Sequence, residues 1–238
     1  MTKRTWLILG ATSLIAEEFA KLAARKGHNL ILTGRNAELI ELIAKDIKLR
    51  FAINCDFIQT DFSANINAIK ELFATNSHEI DLFIAYSNII PNTHLTDSAI
   101  KELIDTNILS TIQLIQAYLA KPQIKHRVLF LSSVAALRGR AKNSLYGASK
   151  KAVEVYIEGL AQAYRKAQFT IIRLGFIDTH QTYGERGIFY AASAKRAAYA
   201  SMRALKYKRF IIYYPFFWRF IMGIITRIPF FLYKKLHF

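Results

Sequence analysis

Tyr146 and Lys150 stand four residues apart in the run Tyr146-Gly147-Ala148-Ser149-Lys150. On a helix that spacing puts both side chains on one face, within reach of each other. An ammonium beside a phenol favours the phenolate and draws the tyrosine pKa down from ~10. A tyrosine tuned in this way can donate a proton to a carbonyl oxygen or take one from an alcohol. Tyr/Lys pairs are also common on plain helix surfaces, so the weight of this one comes from its companions. Ser133 precedes Tyr146 at the end of an apolar run, and a glycine turn follows the first apolar run of the chain.

These residues need a scaffold, and the hydrophobic pattern supplies one. Short apolar runs at Thr5–Leu9, Asn29–Thr33, Ala52–Phe57, Leu82–Ala85, Val128–Ser132, Thr170–Leu174 and Phe210–Tyr213 read as strands. Between them lie segments of helical period: Ile15–Lys26, Ala37–Leu49, Ile66–Thr75, Ser98–Ala120, Leu145–Lys166 and Ser193–Leu205. Continuous apolar strands alternating with helices predict an α/β fold: a Rossmann-type, doubly wound parallel sheet of about seven strands with helices on both faces. Ligands of such folds bind outside the carboxyl ends of the strands, where the strand order reverses. Residues 1–209 read as one dinucleotide-binding and catalytic domain. Residues 210–238 read as a last strand followed by an apolar, basic segment.

The glycine turn is Leu9-Gly10-Ala11-Thr12-Ser13-Leu14-Ile15-Ala16. Gly10 permits the tight bend, and the small Ala11, Thr12 and Ser13 let backbone N–H groups approach a pyrophosphate at the helix N-terminus. Leu14 and Ala16 occupy positions where further glycines are usual; Ala16 still allows close helix–strand packing. The alternative is a simple tight strand-to-helix connection. The second strand ends in Thr33-Gly34-Arg35-Asn36, without the acid that would bind the ribose hydroxyls of NAD. Arg35 offers a forked cation to a 2′-phosphate, which favours NADP(H) while leaving NAD(H) open; its alternative is an exposed residue opening a helix. Asp61-Phe62 is placed to hydrogen-bond and pack against adenine, or Asp61 is a helix cap.

Composition narrows the class. The 238 residues are 53% hydrophobic, which suits one folded α/β domain and excludes a disordered chain. The single Cys55 excludes an intramolecular disulfide and a cysteine-rich metal site, and fits a reducing cytoplasm. Met1-Thr2-Lys3-Arg4 runs directly into an apolar strand, a start that does not read as a secretory signal. The net charge is +16, and no Asp or Glu follows Glu185.

Taken together, these residues resemble the short-chain dehydrogenase/reductase family over about residues 4–180. Its Tyr-x-x-x-Lys pair matches Tyr146 and Lys150, its serine Ser133, and its helix asparagine Asn107. Its turn before the substrate loop matches Arg173-Leu174-Gly175-Phe176-Ile177-Asp178-Thr179, with Leu174 in place of the usual proline. The Asn-Asn-Ala-Gly stretch of the family has become Ala85-Tyr86-Ser87-Asn88. The resemblance implies hydride exchange between a nicotinamide cofactor and a ketone or secondary alcohol. Ser133 would orient the carbonyl, and Tyr146 would donate its proton. Lys150 would hold the nicotinamide ribose and tune Tyr146, while Asn107 would hold a water linking Lys150 to solvent. Gly10, Thr12, Ser13, Leu14, Ile15, Arg35, Asp61, Phe62, Ile177 and Thr179 would line the cofactor. Relatives pair through the helices matching Ser98–Ala120 and Leu145–Lys166, which implies a homo-oligomer.

The carboxyl-terminal segment is unusual for such a reductase. A helix over Phe216–Ile228 would carry Arg219, Gly223, Thr226 and Arg227 along one side and apolar residues over the rest. That pattern suits a helix lying in a membrane interface, through residues 215–238, while Arg219 and Arg227 argue against a spanning helix. The rival is a helix capping the substrate cleft or an oligomer contact. The segment also resembles a subgroup to which decaprenylphosphoryl-2-keto-ribose reductase is similar, implying a lipid-linked keto substrate at the inner face of the membrane. Alternatives are a small soluble ketone or ketoacyl substrate, and a non-catalytic cofactor-binding protein with a basic interaction tail. No nucleic-acid partner is expected, since a binding scaffold has no need of the four catalytic residues.

Overall fold

The computed structural model describes residues 4–178 and 190–236; Thr179, named above, lies outside them. Seven strands form one parallel sheet: β1 Thr5–Leu9, β2 Asn29–Gly34, β3 Cys55–Gln59, β4 Ile80–Ile84, β5 Arg127–Ser133, β6 Gln168–Leu174 and, at the far edge, Ile211–Tyr214. Their order runs β3-β2-β1-β4-β5-β6 and then this edge strand. A two-residue pair, β7 Ile177–Asp178 with β8 Ala192–Ser193, stands apart from the sheet, so the edge strand is β9.

Helices cover both faces. Helices α1 Leu14–Arg25, α2 Ala37–Phe51 and α7 Ala194–Lys206 share one apolar layer, with Ile15, Phe19, Ile40 and Ala197 buried against the sheet. Helices α3 Asn67–Thr75, α5 Ser110–Ala120 and α6 Ser144–Ala163 share the other, with Phe73, Leu114, Tyr118 and Ile157. Residues of β1 and β4 are almost wholly buried, as strands covered on both faces must be. Beyond the edge strand come two short helices, α8 Trp218–Ile225 and α9 Phe230–Tyr233.

Three elements differ from the sequence expectation. The helix expected over Ser98–Ala120 is α4 Asp97–Ile104, a π-helical turn Asp105–Leu109, and then α5. The wider turn is a local insertion in the helical ladder, of a kind frequent at functional sites. It carries Asn107, which is buried. Helix α2 runs on to Phe51 and stops at Ala52 in a left-handed conformation (φ 51), so β3 begins at Cys55 rather than Ala52. The last helix is shorter than Phe216–Ile228; Pro229 separates it from α9.

At the amino ends of the strands, Arg4 donates from Nε (2.8 Å) and Nη2 (2.6 Å) to the two oxygens of the fully buried Asp81. Arg127 donates to the same carboxylate at 3.2 Å, and Arg4 also pairs with Glu79. This cluster pins β1, β4 and β5 together at the end opposite the ligand edge. Removing one partner of a buried pair leaves an uncompensated charge. Asp81→Ala therefore loses about 3–5 kcal/mol of stability in chemical denaturation, with the spectrum of the remaining folded protein unchanged.

Candidate active site

The strand order reverses between β1 and β4, whose crossovers leave toward opposite faces. At the end of β1 the chain turns through Gly10 (φ +84), and the N–H groups of Gly10 and Ala11 bond Thr33 O at 3.0 and 2.8 Å. Ser13 N–H closes the turn onto Gly10 O at 3.1 Å, and the Ser13 side chain does not cap α1. The first turn of α1, at Leu14 and Ile15, thus keeps backbone donors available, as an anion-binding helix N-terminus requires. Thr12 is exposed and Leu14 half-buried. Ile15 and Ala16 are buried in the core, so Ala16 does pack closely against the sheet.

Arg35 is exposed at the end of β2. Asn36 accepts from Leu39 N–H at 3.0 Å and starts α2 directly after it. Arg35 lines a cleft of about 300 Å³ with Gln59, Asp61, Asn65 and Ala68. Asp61 spends one carboxylate oxygen on the N–H (2.9 Å) and hydroxyl (2.7 Å) of Ser63, which hold its pKa down with help from Arg35. Phe62 does not offer its ring to this cleft. It is buried and stacks on Tyr86 with centroids 3.7 Å apart and planes 2° from parallel, so any cofactor contact from Phe62 is a backbone one. Ile177 is likewise buried, in β7.

The altered loop after β4 is held by a different set of contacts. Tyr86 hydroxyl bonds Ser110 Oγ and Thr111 Oγ1, both at 2.9 Å. Asn107 Oδ1 accepts from Asn88 N–H at 2.6 Å, while its Nδ2 donates to Asn88 O (2.8 Å) and Ser149 Oγ (3.0 Å). Both amide protons of Asn107 are therefore committed to protein. Its side chain clamps the loop, leaving the second lone pair of Oδ1 and the backbone carbonyl as the acceptors through which the expected water would bind.

Ser133, the last residue of β5, accepts from Ala135 N–H at 3.1 Å and starts a 3₁₀ turn, Val134–Leu137. Gly147 lets the first turn of α6 press against this turn, since a Cβ there would lie 2.5 Å from Ala135 O. That approach brings Tyr146 to Ser133. The Ser133 and Ser87 side chains lie near enough to the Tyr146 hydroxyl to oppose the rise in its pKa. Ser87 was not singled out in the sequence, because it stands in a loop that departs from the family pattern.

Lys150 is buried, donates to Leu131 O at 2.9 Å, and sits 4.8 Å from the Phe130 ring centroid and 5.9 Å from that of Tyr146. Burial pushes its ammonium down to about 7, against an opposing pull from Glu154 one turn along α6. Glu154 is itself fully buried and paired with Arg173 (2.7 and 3.0 Å) and Ser132 (2.7 Å). The expected lowering of the Tyr146 pKa by Lys150 is not found. Burial raises it, and the groups that oppose the rise are Ser133, Ser87 and Arg140. Tyr146 is accordingly a protonated phenol near neutrality, in the acid form.

This geometry sets the glycine turn, Arg35, Ser133, Tyr146 and Lys150 at the carboxyl ends of the strands of one Rossmann-type parallel sheet. A family model described as short chain dehydrogenase matches residues 4–186. An uncharacterized oxidoreductase of Staphylococcus epidermidis is 27% identical over 188 residues, covering 75% of this chain and 80% of that one. Among solved structures, the bulky-bulky ketone specific alcohol dehydrogenase of Comamonas testosteroni superposes with a TM-score of 0.80 at 18% identity, covering 96% of each chain. A short-chain dehydrogenase of Sphingobium yanoikuyae in complex with NADPH does so at 0.78 and 19%, covering 95% of this chain and 96% of that one. The chain belongs to the short-chain dehydrogenase family.

The depressed Lys150 pKa has a consequence for stability. Between about 7 and the ordinary lysine value of 10.5, the unfolded chain binds a proton that the folded chain does not, so stability rises with pH across that window. Lys150→Met removes this dependence. The melting temperature of the variant should exceed that of the wild type most below pH 7, with the gap closing as pH rises toward 10.5; a pH-independent gap would refute the buried-ammonium assignment.

Proposed function

We propose that the protein is an NADP(H)-dependent carbonyl reductase acting on an amphipathic, lipid-linked ketone such as a keto-sugar, and forming a secondary alcohol. The observation that carries this reading is the convergence of the Ser133 and Tyr146 hydroxyls in front of the buried Lys150 ammonium. It lies on the sheet edge that also carries the donors of α1 and the Arg35 cleft. The fit to a nicotinamide dinucleotide rests on those residues: backbone N–H groups at Leu14 and Ile15 for the pyrophosphate, and an exposed guanidinium for a 2′-phosphate. The NADPH bound in the Sphingobium relative supports the same choice.

When bound, the reduced nicotinamide supplies the hydride. Ser133 hydroxyl orients the substrate carbonyl by donating to its oxygen. Tyr146 transfers its phenolic proton to that oxygen as negative charge develops there. Its raised pKa keeps the proton in place until then. The phenolate left behind is stabilised by the Ser87 hydroxyl and by the Arg140 charge. Lys150, poised near neutrality, can return a proton toward Tyr146. Asn107 keeps the loop bearing Ser87 in register. The amphipathic substrate class is supported by the apolar, basic carboxyl-terminal segment, which suits work at the inner surface of a membrane.

Fluorescence titration should show tighter binding of NADPH than of NADH, and Arg35→Asp should weaken NADPH by about tenfold or more while sparing NADH. An unchanged ratio would remove Arg35 from the 2′-phosphate. Tyr146→Phe should lower kcat for ketone reduction by about 10²–10⁴ while leaving NADPH binding intact. Retained turnover would overturn the assigned acid.

A further inference from the structure

The carboxyl-terminal segment has two faces with different partners. Its inner face is seated on the loop that carries Ser133. Trp218 and Met222 are buried against Val134, with Phe176 and Tyr213 alongside. Arg138, in the same loop, donates to Thr226 O (3.2 Å) and Ile228 O (2.9 Å) and lies 4.3 Å from the Tyr233 ring centroid. Tyr233 hydroxyl in turn donates to Gly139 O at 2.6 Å. The inner face thus packs on the loop that follows Ser133.

The outer face is different. Phe216, Phe220, Ile224, Phe230 and Phe231 are each more than 60% exposed, grouped within sixteen residues of chain. Large apolar side chains exposed in such a group mark an interaction surface. Arg219, Gly223, Ile224, Phe220, Arg227 and Ile228 line a shallow groove of about 600 Å³ along α8 and the turn that follows it. Lys234 and Lys235 extend the positive charge just past the end of α9, and no acid occurs after Glu185 to oppose it. The basic stripe therefore shares the exposed face with half of the apolar residues, rather than opposing them as the sequence suggested.

The geometry points to an anionic lipid bilayer as the occupant of this face, with the aromatic side chains entering the interface and Arg219, Arg227, Lys234 and Lys235 meeting lipid phosphates. A second copy of the chain fits less well. A two-fold contact sets one patch against itself and would bring these cations together without a carboxylate among them. No helix among the described residues is long and apolar enough to cross a membrane, which leaves surface docking. The seat on the Ser133 loop makes the segment a fixed platform beside the catalytic serine. The surface is independent of the reductase chemistry; its use, admitting an amphipathic ketone from the bilayer to that loop, rests on the proposed function.

Truncation would expose Val134 and its neighbours, so surface substitutions give the cleaner test. In flotation of the full chain with phosphatidylglycerol/phosphatidylcholine vesicles, the wild type should bind, and should bind pure phosphatidylcholine far more weakly. Arg219→Gln with Arg227→Gln should weaken binding to the anionic vesicles about thirtyfold, from ~1 kcal/mol per basic residue at a charged surface. Phe220→Ser with Ile224→Ser should abolish binding even at low salt. Both variants should keep wild-type NADPH titrations, because none of the four residues reaches the cofactor edge. Wild-type protein that fails to float, or a dimer that dissociates in the Phe220/Ile224 variant without vesicle binding, would overturn the membrane assignment. Flotation without ketone turnover would leave the docking surface standing and remove the reductase reading instead.

Discussion

Leu9 and Ile84 end neighbouring parallel strands whose following segments leave toward opposite faces of the sheet. The gap this opens is a consequence of chain direction and crossover handedness, not of any side chain. Every element of the site is arranged around it. The glycine turn and α1 fill one side, the loop Tyr86–Asn88 closes the other, and β5 delivers Ser133 one strand further along. The buried Arg4–Asp81–Arg127 cluster fixes the same strands at their opposite ends. The catalytic edge is then free to carry polar groups that contribute little to stability.

The site places charge in a nonpolar setting with few direct partners. Lys150 has a backbone carbonyl and aromatic faces rather than a carboxylate within bonding distance. The nearest acid along its helix, Glu154, is already neutralised by Arg173. That division keeps the Lys150 ammonium weakly held, so that its proton is mobile near neutrality. A direct Lys150–carboxylate pair would have held the charge far more firmly.

Much of this was legible in the sequence, and for physical reasons. Fully buried strands need continuous apolar runs, and β1, β2, β4, β5 and β6 fall close to where such runs lie. The Tyr146–Lys150 spacing is a local helical property, so it too could be read directly. Long-range packing could not. Nothing in Asp61-Phe62 reveals that the ring would leave the cleft to stack on Tyr86, because that depends on a loop twenty-four residues away. Asn107 could be placed on a helix from the sequence; the π-helical turn and the Asn88 backbone it grips appear only in three dimensions. The rise in the Tyr146 pKa likewise comes from burial, which spacing alone does not report. In the tail, composition revealed an amphipathic helix but could not say which apolar residues turn inward against Val134.

The bond from Tyr233 to Gly139 spans ninety-four residues of chain. Gly139 lies between Ser133 and Tyr146, so part of the frame around Tyr146 comes from residues made long after it. During synthesis the sheet from β1 to β6 can assemble while the loop that follows Ser133 still lacks its covering helix. The loop after Ser133 thereby gains its full set of contacts only once the chain has been made through Tyr233. A nascent chain can acquire the architecture of its sheet first and the covering of this loop last.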